Sequence, residues 1–96
     1  MSSTQYKLIK IVEGTLAKLS RENGYSIDFV PYPYNCLTAN VYNNRKDNWH
    51  RARYIVKDDK IYAYKRTPIG DFKPLGSIGL DKNTETKFLK HVTASY

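Results

Sequence analysis

Ninety-six residues, 41% of them hydrophobic, suffice for one packed core and not for two, so the sequence predicts a single domain over 1–96 and excludes wholesale disorder. Sixteen Lys and Arg against nine Asp and Glu leave a formal charge of +7, which points to polyanionic partners: DNA, RNA or an acidic protein surface. The lone Cys36 excludes an intramolecular disulfide and a multi-cysteine metal site, and it fits a reducing compartment.

No apolar run approaches membrane-spanning length, and the polar stretch Met1 to Tyr6 is unlike a secretory signal. The expectation is therefore a cytoplasmic protein with no membrane contact. Abundant Tyr, Lys and Asn suit an AT-rich genome, as in bacteriophages or low-GC bacteria.

The first predicted element is an amphipathic helix. Ser2-x-x-Gln5 fits a capping box, and Asn23-Gly24 supplies a left-handed stop. Between them Leu8, Ile9, Val12, Leu16 and Leu19 recur at helical spacing. Lys7, Lys10, Lys18 and Arg21 fall on the opposite side, where a basic row is most simply a solvated face.

Tyr25 to Val30 alternates as a strand and is ended by Pro31 and Pro33, which cannot donate to a ladder. Tyr32-Pro33-Tyr34 is an aromatic loop whose rings either fold over the sheet or stack on a partner. Leu37, Ala39 and Val41 alternate with Thr38, Asn40 and Tyr42 as a second strand, an exposed edge that offers a route to a homodimer. Asn43 to Asn48 is a polar connection.

Trp49 to Arg66 reads as a hairpin with Asp58 and Asp59 as its two-residue loop. That choice sets Val56 opposite Ile61, Tyr54 opposite Ala63 and Ala52 opposite Lys65 on an apolar face. Ile55 then meets Tyr62, Arg53 meets Tyr64 and Arg51 meets Arg66 on the other, with Trp49 at the end. A one-residue bulge would exchange the faces of one strand. Between Arg45 and Arg66 eight Lys or Arg stand against three Asp, so five of the seven net charges are concentrated here.

Thr67 to Asp71 is a turn, and Phe72 to Ile78 reads as a short, Pro-interrupted edge segment. Asp81 or Asn83 caps a final helix through about His91, with Phe88, Leu89 and Val92 as its apolar contacts; Thr93 to Tyr96 fray.

The fold class is α+β: an N-terminal helix, an antiparallel sheet of three to four strands and a short C-terminal helix, with the helices on one face. The expected core is Leu8, Ile9, Val12, Leu16, Leu19, Ile27, Phe29, Leu37, Ala39, Val41, Tyr54, Val56, Ile61, Ala63, Phe88 and Val92. Double-stranded RNA-binding domains share the order helix, strands, helix, but their second helix opens with Lys-Lys-x-Ala-Lys. Asp81 to Lys87 lacks that motif, so only element order is shared and no family is assigned.

The functional expectation is a small nucleic-acid-binding module. Arg51, Arg53 and Arg66 would contact phosphates or bases, Trp49, Tyr62 and Tyr64 would stack, and Lys46 and Lys65 would steer association. The bland reading is that Tyr and Trp are good strand formers on a soluble face, or that helix 1 covers them. Tyr, Trp and Arg also dominate protein-binding hot spots, so the alternative is a small effector or inhibitor docking on an acidic host protein. A ribonuclease-like toxin would need His50 to act with Arg51, Arg53 and Tyr54, but strand parity puts His50 and Arg51 on opposite faces and His91 is distant in the chain. The sequence therefore implies no enzyme, no cofactor and no metal.

Overall fold

Leu8, Val12, Leu16 and Leu19 form the buried side of α1 (Ser3–Asn23), with Ile9 and Ile11 packed at its margins. The helix stops where Gly24 turns left-handed at φ 74° and donates its N–H to the Ser20 carbonyl at 2.8 Å. Gly14 lies on the exposed side, and a Cβ built there meets nothing within 4 Å. Gly14→Ala is therefore expected to stabilise the protein by about 1 kcal/mol in urea unfolding, with no change in the slope of the transition.

The computed structural model describes residues 3–31, 36–42, 50–67 and 69–94. After α1 come β1 (Ser26–Val30), β2 (Leu37–Tyr42), β3 (His50–Lys57), β4 (Lys60–Arg66), β5 (Phe72–Gly79) and α2 (Thr84–Ala94). The strands pair antiparallel in chain order, giving an α+β fold with a five-stranded meander. The expected Tyr32 to Tyr34 loop and Asn43 to Asn48 connection lie outside the described residues. No helix among the described residues is long and apolar enough to cross a membrane.

The strand count exceeds the expected three to four because β5 pairs along the whole of β4 despite Pro74. An edge strand tolerates proline, since its outer N–H positions have no ladder partner to lose. The pairing jumps from Ala63–Gly76 to Tyr64–Pro74, which leaves Leu75 as an extra residue beside Gly76 at φ 125°. The expectation of an edge at Leu37 to Tyr42 is corrected: β2 is hydrogen-bonded on both sides, and the edges are β1 and β5. Symmetric antiparallel pairing of β1 centred on Asp28 would oppose that carboxylate to its own copy, and β5 is interrupted by Pro74 and its bulge.

The apolar stripes of both helices enter one cluster with Leu37, Ala39, Val41, Ala52, Tyr54, Val56, Ile61 and Ala63. Four expected apolar contacts differ. Phe29 is 36% exposed because β1 is an edge strand, Leu89 is 45% exposed on the outer side of α2, and Ile9 and Ile27 are only half-buried. At the start of α2 both alternative cap residues, Asp81 and Asn83, take part. Asn83 gives its carbonyl to Lys87 N–H at 2.9 Å, and Asp81 Oδ1 accepts from Asn83 N–H at 2.6 Å. Lys87 pairs with Asp81 at 2.8 Å, and that bond holds the Asp81 carboxyl below the usual carboxylate range. Buried Thr84 donates its hydroxyl to the Gly79 carbonyl at 2.9 Å, which ties the helix to the end of β5.

Candidate nucleic-acid interface

The hairpin turn sets the site. Asp58 and Asp59 take φ values of 52° and 59°, the left-handed pair that a two-residue type I′ turn requires. Aspartate tolerates that region better than most side chains, though less well than Asn-Gly. The turn receives help from α1. Gln5 Nε2 donates to the Val56 carbonyl at 3.0 Å, and Gln5 Oε1 accepts the Asp59 N–H at 2.9 Å. Gln5 thus clamps the hairpin to α1, and Ser2 of the expected capping box lies outside the described residues.

With that turn in place, Val56 opposes Ile61, Tyr54 opposes Ala63, Ile55 opposes Tyr62 and Arg53 opposes Tyr64, the expected register. Ala52, Tyr54, Val56, Ile61 and Ala63 are buried under the helices. Arg53, Ile55, Tyr62, Tyr64, Arg66 and Phe72 are half-buried on the other face, against one another. Among the described residues neither helix packs on that face.

The expected Arg51–Arg66 pair is corrected. The β3–β4 ladder ends at Ala52–Lys65, and Arg66 pairs with Phe72. On the other side the partners jump from Val41–Ala52 to Tyr42–His50, so Arg51 is the extra residue of a bulge. A bulge breaks strict alternation, so strand parity cannot assign His50 and Arg51 to opposite faces. Trp49 and Lys46 lie outside the described residues, as does the side chain of Arg51. Lys65 is exposed, but it opposes buried Ala52, which places it on the helix side of the sheet, away from the tyrosines.

Arg53 is the most firmly positioned cation. Its guanidinium carbon lies 4.2 Å from the centre of the Phe72 ring, and its Nε donates to Asn40 Oδ1 at 2.8 Å. Asn40, from β2, is 8% exposed. Among the described residues the two terminal nitrogens of Arg53 carry no hydrogen bond, so a planar donor fork is held ready for an acceptor. Lys57 Nζ sits 5.4 Å from the centre of the Tyr62 ring. Arg66 covers the Thr67–Asp71 turn: Gly70 has φ 94°, and a Cβ there would come within 3.3 Å of Arg66 Nη2. Asn40 and Phe72 escaped the sequence reading. Strand parity would have put Asn40 beside Arg53, but the place of Phe72 depends on the Leu75 bulge.

Charge is partitioned sharply. β3, β4 and β5 contain seven of the sixteen basic residues and none of the nine acidic ones, so the rest of the chain balances nine against nine. His91 packs against Tyr54 on the helix side, with ring centres 6.5 Å apart, so the sheet separates it from Tyr62 and Tyr64. Comparison with family models, with curated proteins and with solved structures finds no match in any of the three, which leaves function to be read from these residues.

Proposed function

We propose that the protein binds nucleic acid through the helix-free face of its sheet. One observation carries the reading: the whole net charge of +7 resides in three adjacent strands, on and around a face that holds Arg53, Tyr62, Tyr64 and Phe72 side by side. Arg53, Lys57, Lys60 and Arg66 lie on that face, with exposed Asp58 and Asp59 in the turn that joins β3 to β4, and such a cationic surface attracts a polyanion and releases its counterions on binding. Half-buried rings beside those cations give apolar area that a phosphate backbone does not need and that bases do. Arg53 forks toward phosphate or a base edge, Lys57 and Lys60 supply mobile charge, and Tyr62, Tyr64 and Phe72 supply ring surface.

Binding of DNA and RNA probes is expected to weaken steeply as salt rises. Arg51→Ala combined with Arg53→Ala should lower affinity and reduce the slope of log affinity against log salt by about one for each phosphate contact removed. Fluorescence anisotropy across a salt series checks this, with circular dichroism as the fold control. A folded double variant with unchanged affinity and slope would overturn the assignment.

A further inference from the structure

We infer that the face takes an unpaired strand, laid along β4 between Lys60 and Arg66, with a contact length of about three nucleotides. This rests on the nucleic-acid reading above and adds to it the state of the strand, its path and its footprint. Residues 60, 62, 64 and 66 of β4 share the helix-free side, so the row reads cation, ring, ring, cation. Alternate residues of a strand are roughly 6–7 Å apart, so the row spans roughly 20 Å. A third ring station lies beside it, where the Arg53 guanidinium rests on Phe72 at 4.2 Å.

Rings set into a sheet lie close to its surface and offer faces and edges, not projecting wedges. A duplex shows this surface its phosphates and groove edges, while the faces of its bases are stacked inside. Tyr62 and Tyr64 would then gain nothing from duplex that the cations do not already provide. An unpaired strand can splay its bases onto such rings and leave its phosphates to cations at the margins. The charges are placed for that division: Lys57 and Lys60 at one end of the tyrosine pair, Arg66 at the other and Arg53 alongside. Lys57 and Lys60 are exposed and able to follow a phosphate, whereas Arg53 is fixed in advance by Asn40. Asn40 is a positioning residue for that guanidinium.

The test uses labelled eight-nucleotide single strands of mixed sequence, one DNA and one RNA, and the duplex formed from the same DNA strand. Wild-type protein is compared with Tyr62→Leu, Tyr64→Leu and their combination, which keep apolar cover on the sheet but remove the ring face. Single strands are expected to bind more tightly than duplex, each tyrosine change costing roughly 5- to 150-fold on single strands and almost nothing on duplex. Shortening the strand should leave affinity level down to about three or four nucleotides. The DNA and RNA arms show whether a 2′-hydroxyl adds anything. Duplex bound as tightly as single strands, or folded leucine variants that bind single strands normally, would overturn this inference while leaving the nucleic-acid surface intact. Failure to bind any probe at low salt would overturn both.

Discussion

Phe88→Ala is expected to cost about 3–5 kcal/mol, which is a large share of the roughly 5–15 kcal/mol that holds a domain of this size together. Phe88 is fully buried, and its ring meets Tyr54 edge-on, with centres 5.1 Å apart and planes at 84°. Among the described residues α2 is held to the sheet by Phe88, Val92, the His91 ring against Tyr54 and the Thr84 hydroxyl bond to Gly79. Removing the largest opens a cavity over Tyr54, in the centre of the core. At about 4–8 °C per kcal/mol, the midpoint of thermal unfolding should fall by roughly 12–40 °C. Leu89→Ala, one residue away but 45% exposed, should stay within about 0.5 kcal/mol of wild type. The pair separates burial from helix propensity. Phe88 also lies across the sheet from Tyr62 and Tyr64, so Phe88→Ala protein still folded at low temperature should match wild type in the nucleic-acid binding proposed for that face.

Much of this architecture could be read from the chain because its strongest signals are local. The α1 stripe follows from spacing, and the paired aspartates fix one register that then sorts every side chain from Ala52 to Lys65. What escaped depends on non-local partners. Gln5 has the chemistry of a capping-box residue, and only the packing of α1 on the sheet brings it to a turn more than fifty residues away. The Arg51 bulge is a mismatch between β2 and β3, and neither strand shows it by itself. Proline in Phe72 to Ile78 argued for a short segment, because proline is tolerated in a strand only at an edge and edge status is a property of the whole sheet. The same holds for Phe29, whose side is correct but whose burial is limited by having a neighbour on one flank only. In the site, Arg53 and the tyrosines emerged from parity, whereas their support by Asn40 and Phe72 required four strands, β2 to β5, to be placed at once.

Gln5→Leu is expected to cost about 2–3 kcal/mol, more than a surface-to-core exchange of equal volume would suggest. The wild-type amide is 5% exposed and satisfies the Val56 carbonyl and the Asp59 N–H at once. Leucine keeps the volume and deletes both bonds. Water can reach Asp59 at the exposed turn, so the Val56 carbonyl carries most of the cost. The amide hydrogen of Asp59 should exchange faster in the variant, which native-state hydrogen exchange can read directly. Gln5→Glu separates the two bonds: at neutral pH its carboxylate still accepts from Asp59 but confronts the Val56 carbonyl without a proton to donate. Folding then favours the protonated acid and raises its pKa above the unfolded value of about 4.3. Relative to wild type, the Glu variant should be weaker at neutral pH and recover as pH falls through that raised value, while the Leu variant shows no such recovery. Because the clamp holds the turn that sets the register, loosening it should also weaken the nucleic-acid binding proposed for the far side of the sheet. A Gln5→Leu protein with wild-type stability and wild-type exchange at Asp59 would mean that the paired aspartates hold their left-handed turn unaided.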